Sequence, residues 1–483
     1  MQGKKQYQEK LFLSFRLSDR IPEDNFYRRL KKVLDLTFIP KHTTRYYGKE
    51  GQKSIDPIVF FKLMLIGYLE NLNSDRKIVE QASMRMDMLY FIGYDIDEPL
   101  PWHSTLSRTR QLYGEELFLE VFRRVLSLCI EKGMVSGRRQ AVDSAHVKAN
   151  ASFDSIIPKK LKDDTAYYLK ELTENEEKEK TLPKEKKQKT GKSNRDWTSP
   201  SDPDSRISKK KHRPLQLNYA SQISVDTSSH VICGAMADFA DKRDAQSLPS
   251  LLDQVIKNLE RESLQIEDVL ADTNYSSGES LRYLESKGIG GYIPCYGPYK
   301  NKRDDFTYNS EEDYYICSQG KKLPFKKIRD RKSDGISKLY WSSKTDCKNC
   351  PQKAKCLGKA SFKCLMDTLD KPYYDRMYER VKTKKGKQMK TLRSSTVEPV
   401  LGTLLHFLGM RKVYTKGIQL ANKHVLMAST AYNIKKLLKF KVVNKAKTFA
   451  EAQRYQIIHF LNSFYAMLTF SFAQHDVKLI LIN

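Results

Sequence analysis

The chain has 483 residues, of which 40% are hydrophobic, and carries a formal net charge of +28 at pH 7. This length exceeds one ordinary hydrophobic core, so we expect two or more domains, or one fold with large insertions, rather than a single small domain. The positive charge is larger than solubility requires. It favours a polyanionic partner, and nucleic acid ranks ahead of a ribosome or an anionic membrane.

Residues 1–136 have the pattern of an all-helical domain. Asp56 and Pro57 supply a cap and a first-turn proline ahead of a long apolar stretch. Further helical patterns begin after Ser74 and at Glu115. These signals predict several short helices before the first strand.

Two of these helices resemble a DNA reader in outline. The segments SDRKIVEQASMRM and WHSTLSRTRQL predict two short helices with Arg108 and Arg110 exposed, as in a helix-turn-helix. Exposed arginines also lie on ordinary solvated helix faces, so the net charge is the main argument for DNA binding here.

Residues 137–440 predict a mixed α/β domain. The segments QAVDSAHVK, LNYASQISV and HVICGAMA alternate with period two, and the last two form a hairpin. A helix with apolar residues at i, i+3, i+4 and i+7 follows, then the short strand VLAD and a helix that ends at Gly288. This order fits a ribonuclease-H-like mixed sheet with flanking helices.

Two insertions interrupt this predicted domain. Residues 159–213 are rich in Lys, Glu, Asp and Ser with little apolar periodicity, and the unbroken run KKKHR near their end is a candidate contact for the DNA backbone. Residues 297–390 carry four closely spaced cysteines and many lysines. Both interruptions fall between predicted elements of the sheet.

Neither end of the chain predicts a secretory or membrane segment. The first residues are basic without the apolar run of a signal peptide, which predicts a cytoplasmic, nucleoid-associated protein. Residues 441–483 form a separate C-terminal segment, whose run IIHFLNSFYAMLTFSFA is interrupted by polar residues. That run is shorter than the roughly 20 clean apolar residues of a membrane span, so no membrane is expected.

Three acidic residues follow or interrupt apolar segments. Asp143 lies inside the first strand, where an unpaired carboxylate is costly to bury, and Asp272 lies at the end of VLAD, where α/β sheets usually place ligand groups. Glu398 lies close to the expected start of a helix, with Ser395 or Thr396 as its cap and Pro399 in its first turn. Any one of the three could be a turn or cap residue.

Together, the three carboxylates suit phosphodiester chemistry. Such chemistry uses two divalent ions about 3.5–4 Å apart that activate the nucleophile and neutralise the phosphate. Hard carboxylate oxygens select Mg²⁺ or Mn²⁺ over softer metals. The residues alone therefore predict a metal-dependent phosphotransferase or nuclease.

A group of cysteines is a second candidate metal site. Cys347, Cys350, Cys356 and Cys364 have the spacing C-x₂-C-x₅-C-x₇-C, which could supply four thiolates to a structural Zn²⁺. Cys317 is a possible substitute ligand. Free thiols on a loop are an equally open interpretation.

The segments VDSAHVKANAS, LADTNYSS and RSSTVEPVLG resemble the three catalytic blocks of insertion-sequence DDE transposases, specifically their cysteine-containing branch. The resemblance spans most of the chain, from the N-terminal helices ending near WHSTLSRTR through DCKNCPQKAKC to NIKKLL. It implies that Asp143, Asp272 and Glu398 are the D, D and E of the family, in a ribonuclease-H-like domain interrupted by an insertion. Mg²⁺ is then the expected cofactor.

The resemblance also implies the substrate. Enzymes of this family bind double-stranded DNA at the terminal inverted repeats of their element, hydrolyse it there, and use the freed 3′-hydroxyl to attack target DNA. Arg393 resembles the family's arginine, and Lys148 matches the first block, so both are candidate DNA contacts. Because two ends must be brought together, a homodimer is expected at work.

The chain departs from the family pattern after Glu398. Related enzymes often carry a lysine about two helical turns later, where this chain has Leu404, Leu405 and His406. Two alternatives therefore stay open. One is a catalytically inactive or domesticated DNA-binding relic, and the other is a hydrolytic nuclease that cuts without joining.

Overall fold

The computed structural model describes residues 14–48, 54–159, 192–209, 214–297, 303–331 and 335–440, with single residues at 5, 8, 50, 299 and 301. The chain divides into two compact units, residues 1–438 and 439–483. The predicted C-terminal segment 441–483 lies outside the described residues, as do most of the charged insertion and all of the KKKHR run except Lys209.

The described part of the N-terminal region is helical, as predicted. Asp56 accepts a hydrogen bond from the Ile58 N–H with Pro57 in the first turn, so the expected cap is confirmed. Ser74 accepts one from the Lys77 N–H and caps the helix that was predicted to follow it. The helices are α1 Leu17–Arg20, α2 Phe26–Val33, α3 Ile39–Thr43, α4 Pro57–Leu69, α5 Asp75–Ser83, α6 Met86–Ile92, α7 His103–Leu112 and α8 Glu115–Glu131, with a 3₁₀ turn at Thr44–Tyr46.

Helix α4 is the core of this region. It is apolar on nearly every side, which is the composition of a helix surrounded by other elements. Phe60 and Phe61 are fully buried and pack edge to face against Phe118 of α8. Burial of such rings, together with their edge-to-face geometry, stabilises the packing of α4 against α8.

A mixed sheet follows. Its strands are β1 Arg139–Lys148, β4 Arg206–Ser208, β5 Gln216–Asp226, β6 Ile232–Phe239, β7 Asp268–Leu270 and β8 Gly290–Tyr292, and the short strands β2 Ile157–Pro158 and β3 Trp197–Thr198 pair separately. The order is β4-β5-β1-β7-β8, and β6 also pairs with β5. Strand β5 is antiparallel to β1 and β6, whereas β7 is parallel to β1 and β8. The predicted hairpin is therefore confirmed as β5 and β6.

Helices α9 Asp244–Glu260 and α10 Gly278–Ser286 connect the later strands, with a 3₁₀ turn at Thr273–Tyr275 before α10. The apolar stripe predicted for α9 is buried at Leu248, Leu251, Leu252, Val255 and Leu259. Gly288 follows α10 with φ +68°, a conformation that glycine adopts without steric cost.

The segment after β8 contains a second, smaller sheet and two short helices. Its strands are β9 Phe306–Asn309, β10 Tyr314–Cys317, β11 Lys322–Arg331, β12 Gly335–Trp341 and β13 Cys364–Thr368, in the order β13-β12-β11-β10-β9. Helices α11 Lys344–Lys348 and α12 Lys353–Leu357 lie between β12 and β13. The sequence pattern did not reveal this sheet because lysines and tyrosines fill its strands.

Three helices complete the described chain: α13 Lys371–Lys382, α14 Lys384–Phe407 and α15 Ile418–Lys439. The prediction that a helix begins close to Glu398 is wrong, because α14 begins at Lys384, with Thr383 as its cap. Pro399 thus lies inside the helix, where it lacks an N–H for the helical bond, rather than in the first turn. Met377 of α13 and Met389 of α14 pack against the first sheet.

Helix α15 covers the edge of the first sheet. Asn433 donates to the Ile232 carbonyl at 2.8 Å and accepts from the Ile232 N–H at 2.9 Å, while the Ala237 N–H donates to the Asn422 side chain. These amides pair backbone groups of edge strand β6 that another strand would otherwise satisfy. None of the helices in the described part of the chain is long and apolar enough to cross a bilayer.

We expect acid sensitivity from one buried histidine. His424 of α15 lies with its Nδ1 2.8 Å from the Tyr68 hydroxyl of α4, and burial lowers its pKa from 6.5 to about 4. The unfolded chain therefore binds this proton more readily, so His424 stabilises the fold fully above pH 6.5 and progressively less as pH falls to about 4. The linked loss is about 3 kcal/mol.

The measurement is the free energy of unfolding from urea denaturation between pH 7 and pH 4. His424→Gln should remove this part of the pH dependence, whereas His406→Gln, at an exposed position, should leave it intact. Identical pH profiles for His424→Gln and the wild type would contradict the assignment.

Candidate active site

Asp143 lies in β1, the strand between β5 and β7. Its side chain is 18% exposed; Oδ1 accepts from the Ser144 backbone N–H at 2.8 Å, and Oδ2 accepts from Arg393 Nη1 at 3.0 Å. Because its strand is paired on both sides, the position of this carboxylate is fixed by the sheet.

Asp272 lies just beyond β7 and caps the following 3₁₀ turn, where its Oδ1 accepts from the Asn274 N–H at 2.9 Å. The parallel register pairs Ala141 with Leu270. When this register is continued by two residues along both segments, Asp143 comes beside Asp272. The structure therefore brings together two of the predicted acidic residues at the edge between neighbouring strands.

The third acidic residue approaches from α14. Arg393 contacts Asp143 with Nη1 and lies with Nη2 3.4 Å from Glu398 Oε1. The arginine side chain is 14% exposed and that of Glu398 is 61% exposed. One guanidinium thus links a strand carboxylate to the helix carboxylate.

The charges of this site are unbalanced. Burial raises the pKa of Asp143 and Asp272, and the nearby Asp272 raises that of Asp143 further, while Arg393 opposes both shifts. Among the described residues, no three acidic, histidine or cysteine side chains already surround a point that could hold a metal ion. Arg393 lies between the Asp143 and Glu398 carboxylates, and a cation of higher charge would be stabilised by the same oxygens.

Sequence reasoning missed a further acidic residue here. Asp244, the first residue of α9, accepts from Gln222 Nε2 at 2.9 Å, and Gln222 Oε1 accepts from the buried Tyr275 hydroxyl. Asp244 raises the pKa of Asp272, after the larger effect of burial. The neighbouring Asp238 and Asp241 instead pair with Lys242 and Arg206. Asp238, Asp241 and Asp244 lie close together around the start of α9, and the sequence has no signal that distinguishes Asp244 from the other two.

Comparison with known proteins bears on the whole arrangement. Residues 15–112 match a transposase domain family (DUF772), and residues 316–438 match a transposase DDE domain family. Both matched families are transposase families, which supports an insertion-sequence DDE transposase. The second match includes Arg393 and Glu398, whereas Asp143 and Asp272 precede it in the sequence.

No curated protein matches the chain. Among solved structures, the chain is similar to a chain of the Mos1 transposase paired-end complex with left transposon end. That alignment has 12% identity and a TM-score of 0.17, and it covers 53% of this chain and 63% of the other.

The two arginines predicted to read DNA have different environments in the structure. Arg108 of α7 is exposed, and its guanidinium donates to the carbonyl and hydroxyl oxygens of Ser104 in its own helix. Arg110 was expected to be exposed, and this prediction is wrong. Its side chain is 11% exposed, because its guanidinium makes a bidentate ion pair with Asp75 of α5. Helix α6 also intervenes between the two helices of the predicted reader. Arg110 therefore joins α5 to α7.

Arg110→Ala should destabilise the protein by roughly 2–4 kcal/mol, because it leaves the largely buried Asp75 carboxylate unpaired. Arg108→Ala should change the free energy of unfolding by less than about 0.5 kcal/mol. Urea denaturation of both variants checks this. Equal stability of Arg110→Ala and wild type would show that the ion pair contributes nothing net.

Lys148 ends β1 and lies at a basic cleft of about 750 Å³. The backbone N–H of Lys148 donates to the Arg411 carbonyl at 3.1 Å, and its carbonyl accepts from the Val413 N–H at 2.8 Å. The side chains of His146, Lys148, His406, Arg411 and Lys412 are among those that line this cleft. His406, one of the three positions about two helical turns after Glu398, is among the residues at this cleft.

The cysteines are only partly arranged as the sequence suggested. Cys347, Cys350 and Cys356 line one small cavity together with Cys317. Cys364 is exposed, lies opposite Trp341 in the β12 to β13 pairing, and does not line this cavity.

Proposed function

We propose that this transposase cleaves double-stranded DNA at the terminal inverted repeats of an insertion sequence and joins the freed ends to target DNA by metal-dependent phosphoryl transfer. The observation that carries the proposal is the convergence of Asp143, Asp272 and Glu398, which come from three separate elements. The two family matches support the same reaction class.

We infer further that the first sheet is a ribonuclease-H-like core. The inference is supported by its strand order β6-β5-β1-β7-β8, in which only β5 runs against the others. Of these five strands, β1 is the first in the sequence and β7 the fourth, and the two are neighbours in the sheet. Their acidic residues then share one sheet edge, as the reaction requires.

The donor set fits Mg²⁺ or Mn²⁺. Asp143, Asp272 and Glu398 offer hard oxygen ligands, and burial together with mutual repulsion disfavours charged Asp143 and Asp272 unless a cation is near. When bound, the ions would activate the attacking water or 3′-hydroxyl and neutralise charge on the phosphate. These three residues would hold them.

The remaining roles follow from the contacts of the site. Asp143 lies in a paired strand and Asp272 just beyond one, so both carboxylates are oxygen ligands that do not need to be ordered when substrate binds. Arg393 orients Asp143 and Glu398 in the free protein, and its guanidinium has the fork geometry that suits a phosphate. The Tyr275, Gln222 and Asp244 hydrogen bonds support the floor of the site.

DNA would approach along the basic cleft. It is lined by Lys148, Arg411 and Lys412, and its lining includes residues of the strand that carries Asp143 and of the helix that carries Glu398. Lysine and arginine release counterions from the DNA backbone, a term that does not depend on base sequence. Arg108 remains a proposed contact of the N-terminal helices. A homodimer would align two element ends.

The central prediction concerns the three carboxylates. Asp143→Asn, Asp272→Asn and Glu398→Gln should each lower end cleavage at least about 10³-fold, because each removes charged ligands that act in the transition state. Binding to end-bearing DNA should stay within a few-fold of wild type. Cleavage is measured with Mn²⁺ on DNA carrying the element ends, and binding by gel shift.

Asp241→Asn is the matched control, since this aspartate pairs with Arg206 rather than with the site. If one of the three carboxylate variants cleaves normally, the residue that it replaces is not a metal ligand. A wild-type protein that binds ends but never cleaves them would be a DNA-binding relic. Supplying pre-cut ends and a target plasmid separates transposase from nuclease, because only the transposase yields joined products.

A graded effect is expected one contact further out. Asp244→Asn and Gln222→Ala should reduce single-turnover cleavage about tenfold, less than Asp272→Asn, because they loosen a supporting hydrogen-bond network without removing a triad ligand. Rates as low as those of the triad variants would make Asp244 a ligand itself. Rates equal to that of Asp241→Asn would remove the network from the mechanism.

A further inference from the structure

Four cysteine thiols at the second sheet and its two short helices line one small cavity of about 40 Å³. They belong to Cys317, Cys347, Cys350 and Cys356. All four are half-buried free thiols. Disulfides are also uncommon in a reducing compartment, where clustered cysteines more often hold a metal.

Local backbone structure brings the thiols together. Cys317 ends β10 and starts a tight turn, since its carbonyl accepts from the Gly320 N–H at 2.8 Å and Gly320 has φ +71°. Cys347 lies in α11 and Cys350 just after it, and Cys356 lies in α12. The turn at Cys317 and the two short helices therefore line the same cavity, although strands β11 and β12 separate them in the sequence.

The surroundings of the cavity suit thiolate ligands. Lys353, Lys355 and Lys363 also line it, and their positive charge favours the thiolate over the thiol form. The Ser342 hydroxyl lies 3.1 Å from Cys347 Sγ. Hydrogen bonds of this kind orient and tune metal ligands.

We propose that Cys317, Cys347, Cys350 and Cys356 bind one Zn²⁺ ion as a structural site, with Cys317 rather than Cys364 as the fourth ligand. Four thiolates match the closed tetrahedral coordination of structural zinc and leave no position for a substrate. Because no three of these groups among the described residues are already at ligand distances, the thiols must draw together on binding.

The second sheet has a physical need for such an ion. Among the described residues, its buried cluster is small and holds Tyr315, Leu323, Tyr340 and Leu365, with Phe306, Tyr308 and Cys317 packed against it. So small a core contributes little net stability, and a metal that links separate segments offsets this deficit. The site would fix the β10 to β11 turn against α11 and α12, independently of the chemistry at Asp143.

The test is zinc content of the full-length protein after purification and after reconstitution with Zn²⁺. Wild type and Cys364→Ser should each hold one zinc per chain, whereas Cys317→Ser and Cys356→Ser should hold at least about tenfold less under a competing chelator. Co²⁺ in place of zinc should give the charge-transfer absorption of thiolate ligands, which carboxylates do not give, in wild type and Cys364→Ser only.

Cys317→His guards against simple misfolding, since imidazole also binds zinc and should restore the metal. Zinc-free wild type after reconstitution would overturn the proposal. So would zinc retention by Cys317→Ser together with its loss from Cys364→Ser. Because the readout is metal content and absorption rather than DNA cleavage, the result does not depend on the proposed transposition activity.

Discussion

The ion pair between Arg393 and Asp143 is the contact on which the site depends. A carboxylate in a central strand is costly to bury alone, and the guanidinium from α14 supplies its counter-charge. The same group reaches Glu398 on its own helix. Because Met389 packs α14 against Leu270 and Tyr292 of the sheet, the helix carboxylate is held toward the strands. One charge therefore joins sheet and helix.

That pairing leaves the site short of positive charge. Burial and neighbouring carboxylates raise the pKa of Asp143 and Asp272, and a single guanidinium offsets this only in part. Carboxylates whose pKa values are raised in this way are typical of functional sites that bind a charged ligand. The surrounding fold bears the cost because β5 is buried along almost its whole length and β6 is covered by amides from α15.

The two proposed metal sites differ in chemistry as well as in place. Carboxylate oxygens on the first sheet select hard divalent ions, whereas thiolates beside the second sheet select zinc. The second sheet is inserted between β8 and α13, and its small core is separate from that of the first. A structural ion there would stabilise the insertion without competing with ions at the acidic site.

The sequence by itself determined the local elements and the order of the acidic residues. Caps at Asp56 and Ser74, the β5 to β6 hairpin and the buried stripe of α9 follow from short-range patterns, which depend on neighbours within a turn or a strand. Tertiary structure decided the rest. The burial of Arg110 against Asp75, the choice of Asp244, the approach of Cys317 and the interior position of Pro399 depend on contacts or helix lengths that no local pattern encodes. A proline suits a first helical turn equally well, and a cysteine or arginine has no sequence signal for its distant partner.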